Sequence, residues 1–464
     1  MGTTGLKAVV VHPAGTLVRD HTVRYPTRLA GLAAEQDANA WWGAAVTALR
    51  AVVRDEPIDA ISVTSQGPTF AAIDAAGRTA GPALTWIDRR AQAESAEIAA
   101  ALELPTDDPY FGTAKLLWWK RAGRLEHAAA VLAANSFLAF RLTGQHSFEE
   151  STAGFLTGWS DGFDPRLAEL GVPVHLLGEA VRCTDQIGVV SRAAADATGL
   201  RAGTPVIAGA IDGVGAALEA GLHYPGDGVA EMTGFSTVSL QPVPRGLRVP
   251  GLIHTRHCVP ETDLLITAQV STGAVVDWVA RLTGFDSAAV LDAEVPAERP
   301  GRLALLPSFA GERTPTWDAA ARGALAGLDL DVTPGDLLLA VFEGTALALR
   351  ADLEEAAKHL PSAGPLLALG GGARSRHWPQ IKADVLGRPV RVPVTGHGAA
   401  YGAALLAAVG AGVLDFTDLP RNPPAAATFE PDARRHAAYT RRLPLVTALR
   451  DHLPPLTAEL RNPT

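Results

Sequence analysis

The sequence predicts an α/β protein of two domains, and three observations lead there. At 464 residues the chain exceeds one ordinary core and fits two domains of roughly two hundred residues or a little more each. Short β-branched or aliphatic runs alternate with longer Ala/Leu-rich helical patterns, as in a sheet covered by helices. Each half also opens on a turn rich in Gly and hydroxyl residues that joins two β runs: Gly2-Thr3-Thr4-Gly5, and Thr233-Gly234-Phe235-Ser236-Thr237. The second half therefore repeats the first, and paired turns of this kind can grip one phosphate chain from two sides.

In chain order, Lys7 to Val11, Thr16 to Tyr25 and Ala60 to Ser65 have strand character, while Ala38 to Arg54 and Ala91 to Leu102 have helical period. Lys115 to Arg121 and Ala128 to Leu142 follow as helices, the second ending at Thr143-Gly144. Val190 to Thr198 is a further helix closed by Gly199. Gly221 to Gly228 interrupts both periods with Gly and Pro near the midpoint, which places the domains at 1–224 and 225–464. Gly228 to Leu240 then reads as strand, turn, strand, and Leu325 to Leu360 as dominated by a long helix with a Glu343-Gly344 step inside it. A Pro-rich stretch, Arg421 to Pro431, precedes a last helical run from Asp432 to about Leu449, expected to wrap the surface and to pack back on the first domain.

Composition removes several function classes. The net charge of −9 carries no basic stripe, so nucleic acid is not an expected partner. No uncharged apolar run reaches the roughly 18 to 20 residues of a membrane helix, and the amino end lacks a secretory pattern. Two distant cysteines, Cys183 and Cys258, offer neither a disulfide framework nor a Cys metal site. A cytoplasmic location fits, and a homodimer stays open as the assembly.

Three segments bear chemistry. Thr204 to Gly213 is an apolar strand ending in a Gly turn, with Asp212 at the start of a helix from Val214 to Glu219. As an N-cap its carboxylate would accept free amide hydrogens; facing a cleft, it could also take or orient the proton of a substrate hydroxyl. Pro365 to Ser375 is a strand running into Gly370-Gly371-Gly372-Ala373-Arg374-Ser375 before a helix around Trp378 to Leu386, where bare backbone can approach a nucleotide. No Gly-Lys-Ser/Thr follows, so it is not a P-loop. Gln66, Trp86, Asp88 and Arg89 lie at or beyond strand ends, where α/β sheets keep their ligand sites. Together they offer an amide, an aromatic face, a carboxylate and a guanidinium, a mixture suited to a polyhydroxylated molecule. The loop Gly311-Glu312-Arg313-Thr314-Pro315 has a structural look, with Glu312 and Arg313 expected to pair.

The ordered set Gly2-Thr-Thr-x-x-Lys7, Gln66, Trp86-x-Asp88-x-Arg90, Lys115-Leu-Leu-Trp118, Gly209-Ala-x-Asp212, Gly311-Glu-Arg-Thr-Pro315 and Gly370-Gly-Gly-Ala-Arg-Ser375 resembles the FGGY carbohydrate kinases over nearly the whole chain. That resemblance implies two duplicated ribonuclease-H-like (actin-like ATPase) domains with an interdomain cleft, and ATP-dependent phosphorylation of a small sugar. By the same resemblance Asp212 is the catalytic base and the magnesium ligand. Gly2, Thr3, Thr4, Lys7, Gly234 and Ser236 fall on phosphate-binding segments, and Gly370, Gly371, Gly372, Ala373 and Ser375 on the adenosine loop. Gln66, Trp86, Asp88 and Arg89 fall in the sugar region. The substrates implied are a sugar and ATP with Mg2+.

The family pattern is broken in three places. Members carry an apolar strand into Asp-x-Gly-Thr; here Met1 occupies the x, and a start assigned too late is the expected explanation. Phe235 stands where the family usually has Thr, and His397 where a Glu is common. Loss of that hydroxyl leaves a degenerate sugar or nucleotide sensor as one alternative. Gln66-Gly-Pro-Thr69 lacks both the Arg-Glu of glycerol kinases and the Met-His of xylulokinases. Trp86-x-Asp88 and the Gly-Glu-Arg-Thr-Pro loop lean to the xylulokinase and gluconokinase branches, so a xylulose-like ketose is expected, with gluconate or another polyol or sugar acid as the alternative.

Overall fold

The structure is a computed structural model that describes residues 1–54, 57–104, 107–318, 321–360, 364–394 and 398–458. His397 lies outside the described residues. The chain divides into two compact units: Met1–His223 with His254–Leu264 and His397–Arg421, and Tyr224–Ile253 with Leu265–Gly396 and Asn422–Thr464.

In the first unit, Gly5–Val11 pairs antiparallel with Leu17–Arg24. A second sheet orders Gln186–Val189, Pro205–Ile211 and Ile61–Ser65, the last two parallel. A third orders Arg28–Ala30, Ala33–Gln36, Ala83–Leu84, Phe70–Ile73 and Ala130–Ala133. The helix Ala38–Val52 turns Trp41, Ala44, Ala45 and Ala48 inward, and Trp41 meets Phe137 edge to face at 5.9 Å. Asp37 caps that helix by accepting the Asn39 N–H, while Gly199 ends Arg192–Thr198 in the left-handed region at φ 83°. Between Gly5–Val11 and Ile61–Ser65 lies an apolar cavity of about 550 Å³ whose lining includes Lys7 but none of Gln66, Trp86, Asp88, Arg89 or Asp212.

In the second unit the sheet includes, in spatial order, Thr237–Pro244, Val229–Thr233, Leu366–Gly370, Val390–Pro393 and Ala425–Phe429. Its long helix Pro334–Ala357 starts on a capping box between Thr333 and Asp336, and buries Leu338, Leu339, Val341 and Phe342 among Val275, Val279, Leu305, Trp378 and Ile381. Gly344 permits the contact: a Cβ there would stand 2.5 Å from the Leu305 carbonyl oxygen.

Five sequence expectations change. Residues 128–142 are not one helix but the strand Ala130–Ala133 followed by the helix Ala134–Thr143. The strand is buried throughout, so its apolar run has no period to tell it from a helix. The Pro-rich stretch contributes the edge strand Ala425–Phe429. The last helical run breaks into Ala433–Thr440 and Leu443–Ala458 and joins the second unit, where Tyr439 donates to Glu343 at 2.8 Å, rather than returning to the first. It is the helix Ala399–Gly410 that belongs with the first unit: Gly402 sits against Gly215, where a Cβ would fall 1.9 Å from the Gly215 oxygen, and Thr64 Oγ1 donates to Ala399 O at 2.9 Å. A single cut at residue 224 therefore becomes a discontinuous division. The partners of Glu312 are Ser308, at 2.5 Å, and Arg450, at 3.7 Å.

Candidate active site

Asp212 is placed by backbone that only glycine permits. Gly209 takes φ 88°, and a Cβ on it would stand 2.0 Å from the Val63 oxygen, so Pro205–Ile211 shifts register against Ile61–Ser65 there. The strand then ends, and the helix Asp212–Glu219 begins on Asp212 itself, with Ile211 in the cap position and making no side-chain cap. The Ile211 N–H donates to Ser151 Oγ at 3.0 Å, and Ser151 donates to the buried Glu149 at 2.6 Å, which fixes the strand end from behind. Asn135 Nδ2 reaches the same carboxylate at 3.3 Å.

Burial pushes the Asp212 carboxyl up to about 6, opposed by the amino group of Met1 and by the amides of Gly213 and Asp212. The Met1 amino group, lowered to about 6 by its own burial, donates to Thr64 O at 2.7 Å. A half-buried carboxylate at a helix start, able to exchange a proton near neutrality, suits proton acceptance.

Gln66, Trp86 and the first turn come together around Gln36, a residue that no motif singled out. Gln36 Nε2 donates to Thr3 O at 2.7 Å, and its Oε1 accepts from Trp41 Nε1 at 2.9 Å and Gln66 Nε2 at 2.7 Å. Trp86 Nε1 donates to Thr3 Oγ1 at 3.0 Å. The turn itself is closed by Gly2 N donating to Gly5 O at 2.8 Å, and Tyr25 donates to Gly2 O. Gln66 is 2% exposed, and its Oε1 is buried with no hydrogen-bond partner among the described residues. The buried Lys115 supports this cluster by donating to the carbonyls of Tyr110, at 3.1 Å, and Trp86, at 3.3 Å. The motif Lys115-Leu-Leu-Trp118 and a lysine within an apolar helical run were the signals in the sequence that marked it.

Asp88 and Arg89 are occupied otherwise. Asp88 is buried, accepts from Ala34 N at 2.8 Å and pairs with Arg90 at 2.7 Å; Arg90 also holds Glu35 and lies 4.4 Å over the Trp118 ring. Arg89 pairs with Asp108 at 2.9 Å. Both ion pairs brace the loop that carries Trp86. Lys7 sits within Gly5–Val11, 3.8 Å from Asp20, and Thr4 accepts the Tyr25 N–H at its carbonyl.

In the second unit, the strand Val229–Thr233 feeds the turn Gly234–Ser236, where Gly234 N donates to Ser236 O at 2.8 Å. Phe235 is 54% exposed at the tip. Thr233 lies opposite Gly370 in the parallel ladder, so this turn and the glycine turn leave the sheet side by side. Gly370 has φ 79°, and a Cβ on Gly370 or Gly372 would meet Thr233 at 2.5 or 2.7 Å. Gly372, Ala373 and Arg374 form one 3-10 turn, and Ser375 Oγ accepts from Trp378 N at 3.0 Å, which ties the turn to the start of the helix Trp378–Leu386.

Among the described residues no cluster of three His, Cys, Asp or Glu side chains could cage a metal ion. Magnesium carried by phosphates needs only one or two carboxylates and keeps water for the rest. Asp212 is a carboxylate of that kind.

Comparison with known proteins places this geometry in context. The sequence pattern of the FGGY family of carbohydrate kinases, N-terminal domain, matches residues 1–218, and that of its C-terminal domain matches residues 233–411. A xylulose kinase of Escherichia coli K12 is 29% identical over 483 aligned positions, covering 99% of both chains. A xylulose kinase of Streptomyces coelicolor is 32% identical, covering 88% of this chain and 86% of its own. The crystal structure of a xylulose kinase from Rhodospirillum rubrum superposes with a TM-score of 0.84 at 29% identity over 98% of each chain.

Proposed function

The chain belongs to the FGGY family of carbohydrate kinases, and on that premise we propose that it phosphorylates a hydroxyl of a xylulose-like ketose at the expense of ATP, with Asp212 as the base. The observation that carries the role of Asp212 is its place: the first residue of a helix, at the end of a strand kinked by Gly209, with its carboxyl held near neutrality. The xylulose kinases among its relatives support the choice of a ketose.

The first unit takes the sugar and the second the nucleotide. The unpartnered oxygen of Gln66 accepts a sugar hydroxyl, and the Trp86 ring packs on the carbon skeleton. Asp212 accepts the proton of the attacking hydroxyl as its oxygen bonds to the γ-phosphorus and the bond to the ADP oxygen breaks. The amides of Gly234 to Ser236 and of Thr3 and Thr4 bind phosphate oxygens, and the bare backbone of Gly370 to Gly372 lies against the adenosine. Magnesium bound with the nucleotide would supply charge neutralisation on the phosphates, and Asp212 is the residue that would hold it. Asp88 and Arg89 act on the sugar indirectly, through the loop they brace. Cys183 and Cys258 are buried free thiols, which suits a reducing compartment, and we place the enzyme in the cytoplasm.

The test is ADP release with Mg-ATP and D-xylulose, comparing the protein with Asp212→Asn. Turnover that depends on both the ketose and Asp212 supports the assignment, and turnover that persists in the variant removes Asp212 from it.

A further inference from the structure

Lys382 and Glu231 are, at 2% and 0% exposure, among the least exposed charged residues described, and the chemistry above uses neither. Such groups are rarely buried unless paired, and here they pair: Lys382 Nζ lies 2.5 Å from Glu231 Oε1. The pair joins two elements far apart in sequence. Glu231 sits on the strand that feeds the Gly234 turn, and Lys382 on the helix that follows the glycine turn.

The pair also ends on the turn. Thr233 Oγ1 donates to Glu231 Oε2 at 2.5 Å and receives Lys382 Nζ at 3.2 Å. From Thr233 a chain of buried hydroxyls runs to Thr237 at 2.8 Å and on to Thr272 at 2.7 Å, at the start of the helix Thr272–Leu282. Both residues flanking Gly234–Ser236 are therefore tied by their side chains to the same network. The first turn of that helix closes the other side: Ala274 N donates to Phe235 O at 3.1 Å, and a Cβ on Gly273 would stand 1.9 Å from the Gly234 oxygen. Trp378 completes the shell, its ring 4.6 Å from the ammonium.

We propose that Lys382 and Glu231 are positioning residues for nucleotide binding, holding the Gly234–Ser236 turn in its phosphate-binding shape before any nucleotide arrives. This rests on the assignment of that turn to the phosphates. The reason a buried ion pair is needed here is Phe235. Its exposed ring puts no hydroxyl at the tip, so the turn binds phosphate mainly through backbone amides, and amides act only where the backbone is fixed. A buried network of hydrogen bonds and an ion pair supplies that fixity.

Lys382→Met alone would strand the Glu231 carboxylate, so the informative variant is the double substitution Glu231→Leu with Lys382→Met, which leaves no buried charge. ADP affinity by calorimetry and initial rates against ATP and sugar are measured on it and on the unaltered protein. The expected result is a melting temperature near that of the unaltered protein, ADP affinity and KM for ATP weakened at least tenfold, and KM for the sugar unchanged. A folded double variant with unaltered ADP affinity overturns the proposal. An unaltered protein that binds ADP but turns over no sugar refutes the kinase assignment, while the affinity comparison still decides the positioning role. One that does neither refutes both. Should the double variant fail to fold, amide hydrogen exchange in the unaltered, nucleotide-free protein decides: protection of Gly234 and Thr237 is expected, and fast exchange there overturns the proposal.

Discussion

Replacing Asp212 by Asn separates a catalytic carboxylate from a structural one, because the two roles predict opposite changes in stability. Burial lifts the carboxyl from 3.8 to about 6, a gap of about 2 units. At 1.36 kcal/mol per unit that is on the order of 3 kcal/mol. A carboxyl with a raised folded pKa binds its proton more tightly in the native state, so the stability it contributes is complete below about pH 3.8 and is lost as pH rises through 6. At pH 8 the native protein therefore holds an ionised group that costs up to roughly 3 kcal/mol, and Asn removes the cost. The variant should melt at or above the unaltered protein at pH 8, with the difference shrinking towards pH 5. Its kcat should fall by roughly a thousandfold or more. In the unaltered enzyme, kcat/KM should rise with pH along an acidic limb centred near 6, since only the ionised carboxylate accepts a proton. Scanning calorimetry at both pH values and coupled ADP assays read these quantities. A variant that keeps activity within tenfold, or that melts well below the unaltered protein at pH 8, refutes the reasoning.

Three further substitutions test other parts of the site. Phe235→Thr returns a hydroxyl to the exposed tip of the second turn; one hydrogen bond to a charged phosphate, worth about 1.5 kcal/mol, should lower KM for ATP about tenfold without moving the melting temperature. Gln66→Leu removes the unpartnered acceptor and should raise KM for the sugar roughly tenfold or more while KM for ATP stays put, as initial rates against each substrate would show. Gly209→Ala forces a side chain at φ 88° to within 2.0 Å of the Val63 oxygen, and chemical denaturation should show a loss on the order of 3–5 kcal/mol.

Local chemistry made most of the fold legible. Gly144 and Gly199 marked helix ends because left-handed turns act within a few residues. Asp212 was legible because an apolar strand, a glycine turn and a carboxylate follow in immediate succession. What stayed hidden depends on contacts across the sequence. Ala130–Ala133 is a strand because Phe70–Ile73 lies beside it, and nothing in an unbroken apolar run announces that neighbour. Gln36 became the hub of the cluster around Gln66 through Thr3 and Gln66, which lie 33 and 30 residues away and so could not suggest it. Asp88 and Arg89 had the right chemistry for a sugar, but their partners Arg90 and Asp108 engage them within the loop region. The helix Ala399–Gly410 joined the first unit through a glycine contact with Gly215, which the linear order of the chain conceals.

The central claim, a ketose kinase that depends on Asp212, is tested most directly by the initial rate of ADP release from Mg-ATP over a panel of pentuloses, hexuloses, polyols and gluconate, run in parallel with Asp212→Asn. Preferential turnover of D-xylulose or a close ketose, abolished in the variant, is the predicted result; background ADP release with every member of the panel, from protein shown to be folded, would contradict it.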